Sequence, residues 1–115
     1  MNLYNLKKQD GKYFVEGQET RLPDRVVKAV EESGKSEFVI GIRPEDIHTG
    51  NDFTLDVNLN ENTGHFTLTH GMLFGKTSCA KFRDWQRFKV GDKVGVSFDE
   101  ERVHLFDAES TEAIL

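Results

Sequence analysis

The sequence predicts an all-β domain, a small barrel or sandwich that carries one short helix. Three observations predict it. Most of the chain alternates apolar and polar residues with period two, the mark of half-buried strands. Turn signals recur along it, in "QDGK", "EGQE", "TGND", "ENTG" and "VGDK". A single segment breaks the alternation and carries the punctuation of a helix.

Taken in order, "KYFVE" sets Tyr13 and Val15 on either side of Phe14. The segment "LPDRVVKAVEESGK" follows, with Pro23 at a helix start, Asp24 in the first turn and Gly34 at the stop, so a helix is expected from about residue 23 to 33. Val26, Val27 and Val30 form its apolar stripe. In "EFVIGIR" the residues Phe38, Ile40 and Ile42 share a face. "FTLDVNL" is the clearest strand, with Phe53, Leu55, Val57 and Leu59 on one side and Thr54, Asp56 and Asn58 on the other. "HFTLT" continues the pattern with Phe66 and Leu68, and "KVGVSF" groups Val94, Val96 and Phe98. "RVHLF" sets Val103 and Leu105 opposite His104 and Phe106.

A chain of 115 residues forms one domain, able to bury roughly two-thirds of its unfolded surface. With 37% hydrophobic residues and nine Phe it needs neither metal nor disulfide to fold. The lone Cys79 has no internal partner, which fits a reducing compartment. No run of apolar residues is long enough to span a bilayer, and "MNLYNLKKQDGK" has no secretion-signal pattern. The net charge of −5 opposes generic binding to polyanions.

Few stretches suggest chemistry. "GMLFGKT", residues 71–77, is one residue short of a phosphate-cradling P-loop and is followed by "SCAKF", a poor helix start. Gly71 reads as a hairpin turn with Lys76 toward solvent. "KFRDWQRFK", residues 81–89, interleaves Lys81, Arg83, Arg87 and Lys89 with Phe82, Trp85 and Phe88, as a platform for single-stranded nucleic acid does. The spacing of three equally fits one side of a helical turn packed on the core, and packing is the preferred reading. His48, His65, His70 and His104 have no partners at metal-ligand spacing, and no serine sits in a nucleophile elbow. No catalytic residue, metal or cofactor is expected.

Two strings are more particular. "GIRPED", residues 41–46, ends a strand in a proline-fixed turn flanked by Arg43, Glu45 and Asp46; "HLFD", residues 104–107, closes the last strand. By residue chemistry alone Arg43 pairs with a neighbouring acid, a weak surface interaction. Together, "VIGIRPEDI" and "VGDKVGVSFDEERVHLFDAES" resemble the C-terminal regulatory region of sugar-type ABC transporter ATPases, the transport-associated OB (TOBE) domain. "MNLYNL" is similar to the Met-Asn that begins this region, "ETRLPDRV" to its Leu-Pro, and "ENTG" to its Glu-x-x-Gly turn. Phe66 departs from the acid the family places two residues after that glycine, and residues 71–85 align with nothing in it.

The resemblance implies an OB-like small β-barrel over residues 1–115, the regulatory domain of a longer cytoplasmic ATPase subunit whose nucleotide-binding domain lies upstream. It implies a non-catalytic role in regulation and dimerisation for an importer of sugars or related solutes. The implied partners are a second copy of the subunit, a regulatory protein and, indirectly, the membrane permease subunits, with no nucleic acid. The expected interaction residues are Arg43, Glu45, Asp46, Gly64, His104 and Phe106. Two other classes stay open: a single-strand nucleic-acid module using residues 81–89, and an oxyanion sensor with a pocket of backbone amides and hydroxyls.

Overall fold

Nine strands and one helix make up the computed structural model, which describes residues 1–115. Strands β1 (Asn2–Gln9), β2 (Lys12–Val15) and β3 (Gln18–Glu19) lead to helix α1 (Asp24–Ser33). β4 (Glu37–Ile42), a 3-10 turn (Pro44–Asp46) and the long β5 (Ile47–Asn62) follow. β6 (Thr67–Leu73), β7 (Lys76–Phe82), β8 (Lys93–Phe98) and β9 (His104–Asp107) complete the chain. One antiparallel sheet has the order β3-β2-β1-β4-β9, the other β7-β6-β5-β8. The β-rich, OB-like architecture expected from the sequence is therefore present as two packed sheets.

Local chemistry explains most element boundaries. Two-residue hairpins at Asp10–Gly11, Glu16–Gly17 and Phe74–Gly75 have positive φ at both positions, the turn whose twist matches its flanking strands. Helix α1 starts after Pro23, a cap residue with an extended ψ of 144° whose carbonyl accepts Val27 N at 3.0 Å, and stops at Gly34 in the left-handed conformation. Val26, Ala29 and Val30 are buried, joining Tyr4, Phe38, Ile40 and Leu105 from one sheet and Leu55, Val57 and Val96 from the other in one core cluster.

Four details differ from the sequence reading. "TGND" makes no chain reversal; it lies inside β5 as an irregularity where Val96 faces both Thr49 and Phe53. A second register shift, between Val57 and Leu59, turns Leu59 out of the expected apolar face to half exposure. In β6 the buried face is Thr67, Thr69 and Leu73, not Phe66 and Leu68. The two threonine hydroxyls are satisfied by the side chains of Asn62 and Asn60, at 2.5 and 2.6 Å, so their burial leaves no polar atom unpaired. The turn before β7 is Phe74–Gly75, and Gly71 lies within β6. Phe74 tolerates its φ of +56° because its ring packs edge-on against Tyr4 and Phe53.

One side chain joins the sheets where no ladder does. Asn2 Nδ2 donates to Ile42 O and Cys79 O at 3.2 and 2.8 Å, and Asn2 Oδ1 accepts from Cys79 N at 2.9 Å. The carboxamide thus imitates a strand's backbone along the free edge of β7. A second buried link lies alongside: Tyr4 OH and Ser78 Oγ are 2.6 Å apart, and burial pushes the phenol up to about 12.

At the end of β9 the buried Asp107 accepts Lys35 Nζ at 2.6 Å, Ser110 Oγ at 2.7 Å and two longer backbone N–H contacts. The Lys35 ammonium, then Ser110, hold its carboxyl well below the usual carboxylate range. Because the folded pKa is depressed, the stabilisation is complete above the unfolded value of about 4 and is lost as pH falls through the folded value. Asp107→Asn is expected to lower Tm at neutral pH, with the gap from wild type narrowing steadily between about pH 5 and pH 2. Thermal melts across that range check it; a gap independent of pH would show that the ion pair carries no stability.

Candidate interaction surface

Sheet pairing assembles the expected residues of "HLFD" with residues far away in sequence. β1 pairs with β4 so that Leu3 faces Gly41 and Asn5 faces Val39; β4 pairs with β9 so that Gly41 faces His104 and Val39 faces Phe106. Their neighbours Tyr4, Phe38, Ile40 and Leu105 are the buried set, so by strand alternation Leu3, Val39, Gly41, His104 and Phe106 occupy the outer face. Leu3 is 45% exposed and Met1, beside it, 55%.

Gly41 makes this face continuous. A Cβ there would lie 2.5 Å from Met1 Sδ, 3.2 Å from Leu3 Cδ2 and 3.4 Å from Phe106 Cε2. The absent side chain lets those three close over the strand. His104 stacks on Phe106, with ring centroids 6.3 Å apart and planes at 19°. The result is an apolar, aromatic surface on the solvent side of a sheet whose other side is already filled.

The "GIRPED" turn borders the strand end. Arg43 and Glu45 are exposed, and none of the molecule's six ion pairs uses Arg43, Glu45 or Asp46. The local arginine–acid pairing expected from the sequence does not form. Asp46 works through its backbone: its N–H donates to Arg43 O at 3.0 Å and its carbonyl accepts Asp99 N at 2.9 Å. Gly64 belongs to the other sheet, at the tip of the β5–β6 hairpin with φ +95°, and no hydrogen bond or ion pair connects it to the other five. Sequence reasoning missed Met1, Leu3, Val39 and Gly41. The alternation in "NLYNL" would have marked β1, but only the pairing shows which residues meet.

Residues 40–106, from within β4 to within β9, match the TOBE domain family. This chain belongs to that family. An uncharacterized ABC transporter ATP-binding protein of Bacillus subtilis is 31% identical to this TOBE domain over 95% of the chain and 33% of the relative. A trehalose/maltose import ATP-binding protein of Thermococcus litoralis is 32% identical over 68% of the chain and 24% of the relative. A xylose/arabinose import ATP-binding protein of Haloferax volcanii is 34% identical over 70% of the chain and 24% of the relative. The chain thus spans a quarter to a third of the length of these relatives.

Other regions of the TOBE domain are less suited to ligands. "GMLFGKT" runs from β6 through the Phe74–Gly75 turn into β7 and opens no helix, so it presents no helix N-terminus to a phosphate. Lys76 lies 3.6 Å from Glu16, an anionic neighbour that a phosphate would have to displace. Titration with ATP-Mg is expected to leave the Lys76 and Thr77 amide resonances unmoved; micromolar binding centred there would overturn this. A broad cleft of about 820 Å³ is bordered by Asp24, Asp52, Asp99, Glu100 and Glu101 against Arg21 and His48, and that excess of negative charge opposes an oxyanion. The half-buried Cys79 thiol is pushed up by burial and by Glu61, away from the thiolate form that a nucleophile needs. No helix is long and apolar enough to cross a membrane.

Proposed function

We propose that this TOBE domain is the non-catalytic regulatory and dimerisation domain of an ATP-binding subunit, in an ABC importer for sugars or related solutes. The observation that carries the reading is the apolar outer face built from Met1, Leu3, Val39, Gly41 and Phe106 and bordered by the unpaired Arg43 and Glu45. The relatives named for import of trehalose/maltose and of xylose/arabinose supply the solute class.

A two-fold dimer needs one patch that fits itself. An apolar centre meets its own copy without cost, and Arg43 of one copy can face Glu45 of the other across the axis. Gly64, exposed in the other sheet, would make a separate contact, while Asp46 fixes the turn that presents Arg43. A regulatory protein that prefers one dimer state shifts ATP turnover by its differential affinity, at any distance from the nucleotide. The permease subunits feel that shift indirectly, through the nucleotide-binding domains at the cytoplasmic membrane face.

The test belongs in the full-length subunit. Phe106→Ala and Arg43→Glu should each weaken dimerisation about tenfold, as read by analytical ultracentrifugation, while nucleotide affinity stays at wild type. The double swap Arg43→Glu with Glu45→Arg should restore much of the loss. If both single variants keep wild-type dimer stability, transport and regulation, this surface is not the interface.

A further inference from the structure

We propose that residues 83–90, within the connection from β7 to β8, form a docking surface for an acidic segment of a partner protein, with Trp85 as its anchor. The proposal is independent of the dimer reading, because this connection joins two strands of the four-stranded sheet. No helical turn forms here; the segment is irregular but tied down. Gln86 N donates to Thr67 Oγ1 at 2.9 Å, Gln86 O accepts from Asn60 Nδ2 at 2.8 Å, and Lys89 N donates to Asp92 Oδ2 at 2.8 Å. Phe88 is turned inward, edge-on to Phe82 at 5.6 Å.

Against this fixed frame Trp85 is 59% exposed and Val90 74%. A tryptophan half out of an ordered loop leaves apolar area in water and has lost little freedom still to be lost on binding, which is how an interface anchor behaves. The surrounding charge is one-sided. Arg83, Arg87 and Lys89 are exposed and enter no ion pair. Residues 83–90 carry three Lys or Arg against Asp84 alone, in a chain of net charge −5. Charge complementarity therefore selects an acidic partner, and the exposed indole selects one that brings an apolar side chain.

A protein segment fits better than single-stranded nucleic acid. Stacking successive bases needs several exposed rings in a row, and here Trp85 is alone. Phe82 is buried, Phe88 packs on it, and Lys81 sits 4.2 Å over the Phe66 ring.

The chain has one tryptophan, so its indole N–H is a unique NMR reporter. The probe is a synthetic peptide, Asp-Glu-Leu-Glu-Phe-Asp-Glu with blocked ends, compared with its Asn/Gln version and with a ten-residue oligothymidine. At low salt the acidic peptide is expected to shift the Trp85 indole and the 83–90 amides saturably. Binding should weaken at least tenfold for the neutral peptide and for Arg83→Glu with Arg87→Glu. Trp85→Ala, an exposed substitution that leaves the core intact, should abolish the amide shifts. The absence of any shift at millimolar peptide overturns the proposal, as does wild-type affinity in the charge-reversed variant. Tighter binding of oligothymidine than of peptide overturns it in favour of the nucleic-acid class.

Discussion

Gly71→Val is expected to destabilise the domain by roughly 3 kcal/mol or more, among the largest effects available to one substitution here. A Cβ at this position would lie 2.1 Å from Asp56 O and 2.9 Å from Asp56 C, backbone atoms of the neighbouring strand that no rotamer change can move. Gly71 pairs with Val57 immediately before the register shift that turns Leu59 outward, so the added group strikes the sheet where its geometry is least adjustable. Relief requires parting β5 from β6, and with them the core packing of Leu55, Val57 and Leu73. Urea midpoints would measure it, with Lys76→Ala as the control, expected to change stability by less than about 0.5 kcal/mol because that side chain is exposed. The experiment also separates two readings of "GMLFGKT". In a phosphate loop the glycine would serve the ligand and the lysine would carry function. In this strand the glycine carries the fold and the lysine almost nothing. Wild-type stability in Gly71→Val would show that the two strands do not approach this closely.

Asn2→Ala is expected to cost about 2–3 kcal/mol, more than an ordinary exposed hydrogen-bonding residue. It removes the carboxamide that bridges the sheets and leaves Cys79 N without its acceptor. Asn2→Asp is the sharper probe. The shape is kept, but the donor that served Ile42 O and Cys79 O is replaced by a carboxylate oxygen facing two carbonyls. It should be at least as destabilising as alanine at neutral pH and partly relieved in acid, where the protonated side chain regains one donor. Calorimetric Tm for both variants would decide. If both melt with wild type, the Asn2 contacts are incidental, and core packing with the Tyr4–Ser78 hydrogen bond holds the sheets together.

The Met-Asn motif illustrates how a resemblance and a structure divide the explanation. Similarity to sugar-importer ATPases marked "MNLYNL" as the start of the regulatory region without giving the asparagine work. The structure supplies that work, a side chain acting as a length of strand. For Arg43 the outcome runs the other way. Residue chemistry suggested a neighbouring acid as its partner, and the fold leaves the guanidinium unpaired at the border of an apolar face.

What the sequence by itself determined is what local physics controls. Pro23 and Gly34 delimit the helix because proline, with no N–H to pair, suits the chain entering a helix and glycine accepts a left-handed stop. Period-two alternation marked the buried faces of β4, β8 and β9 because nothing interrupts their pleat. Asp-Gly and Glu-Gly placed hairpins where the backbone requires positive φ. The phase of β6 was decided only by tertiary structure: Thr67 and Thr69 are buried because Asn62 and Asn60 lie opposite to satisfy them, and that pairing depends on a register shift no single strand encodes. The outer face formed by Leu3, Gly41 and Phe106 was likewise undecided by sequence. Its members are brought together by ladders between strands dozens of residues apart, and the order of strands in a sheet is a property of the packed chain.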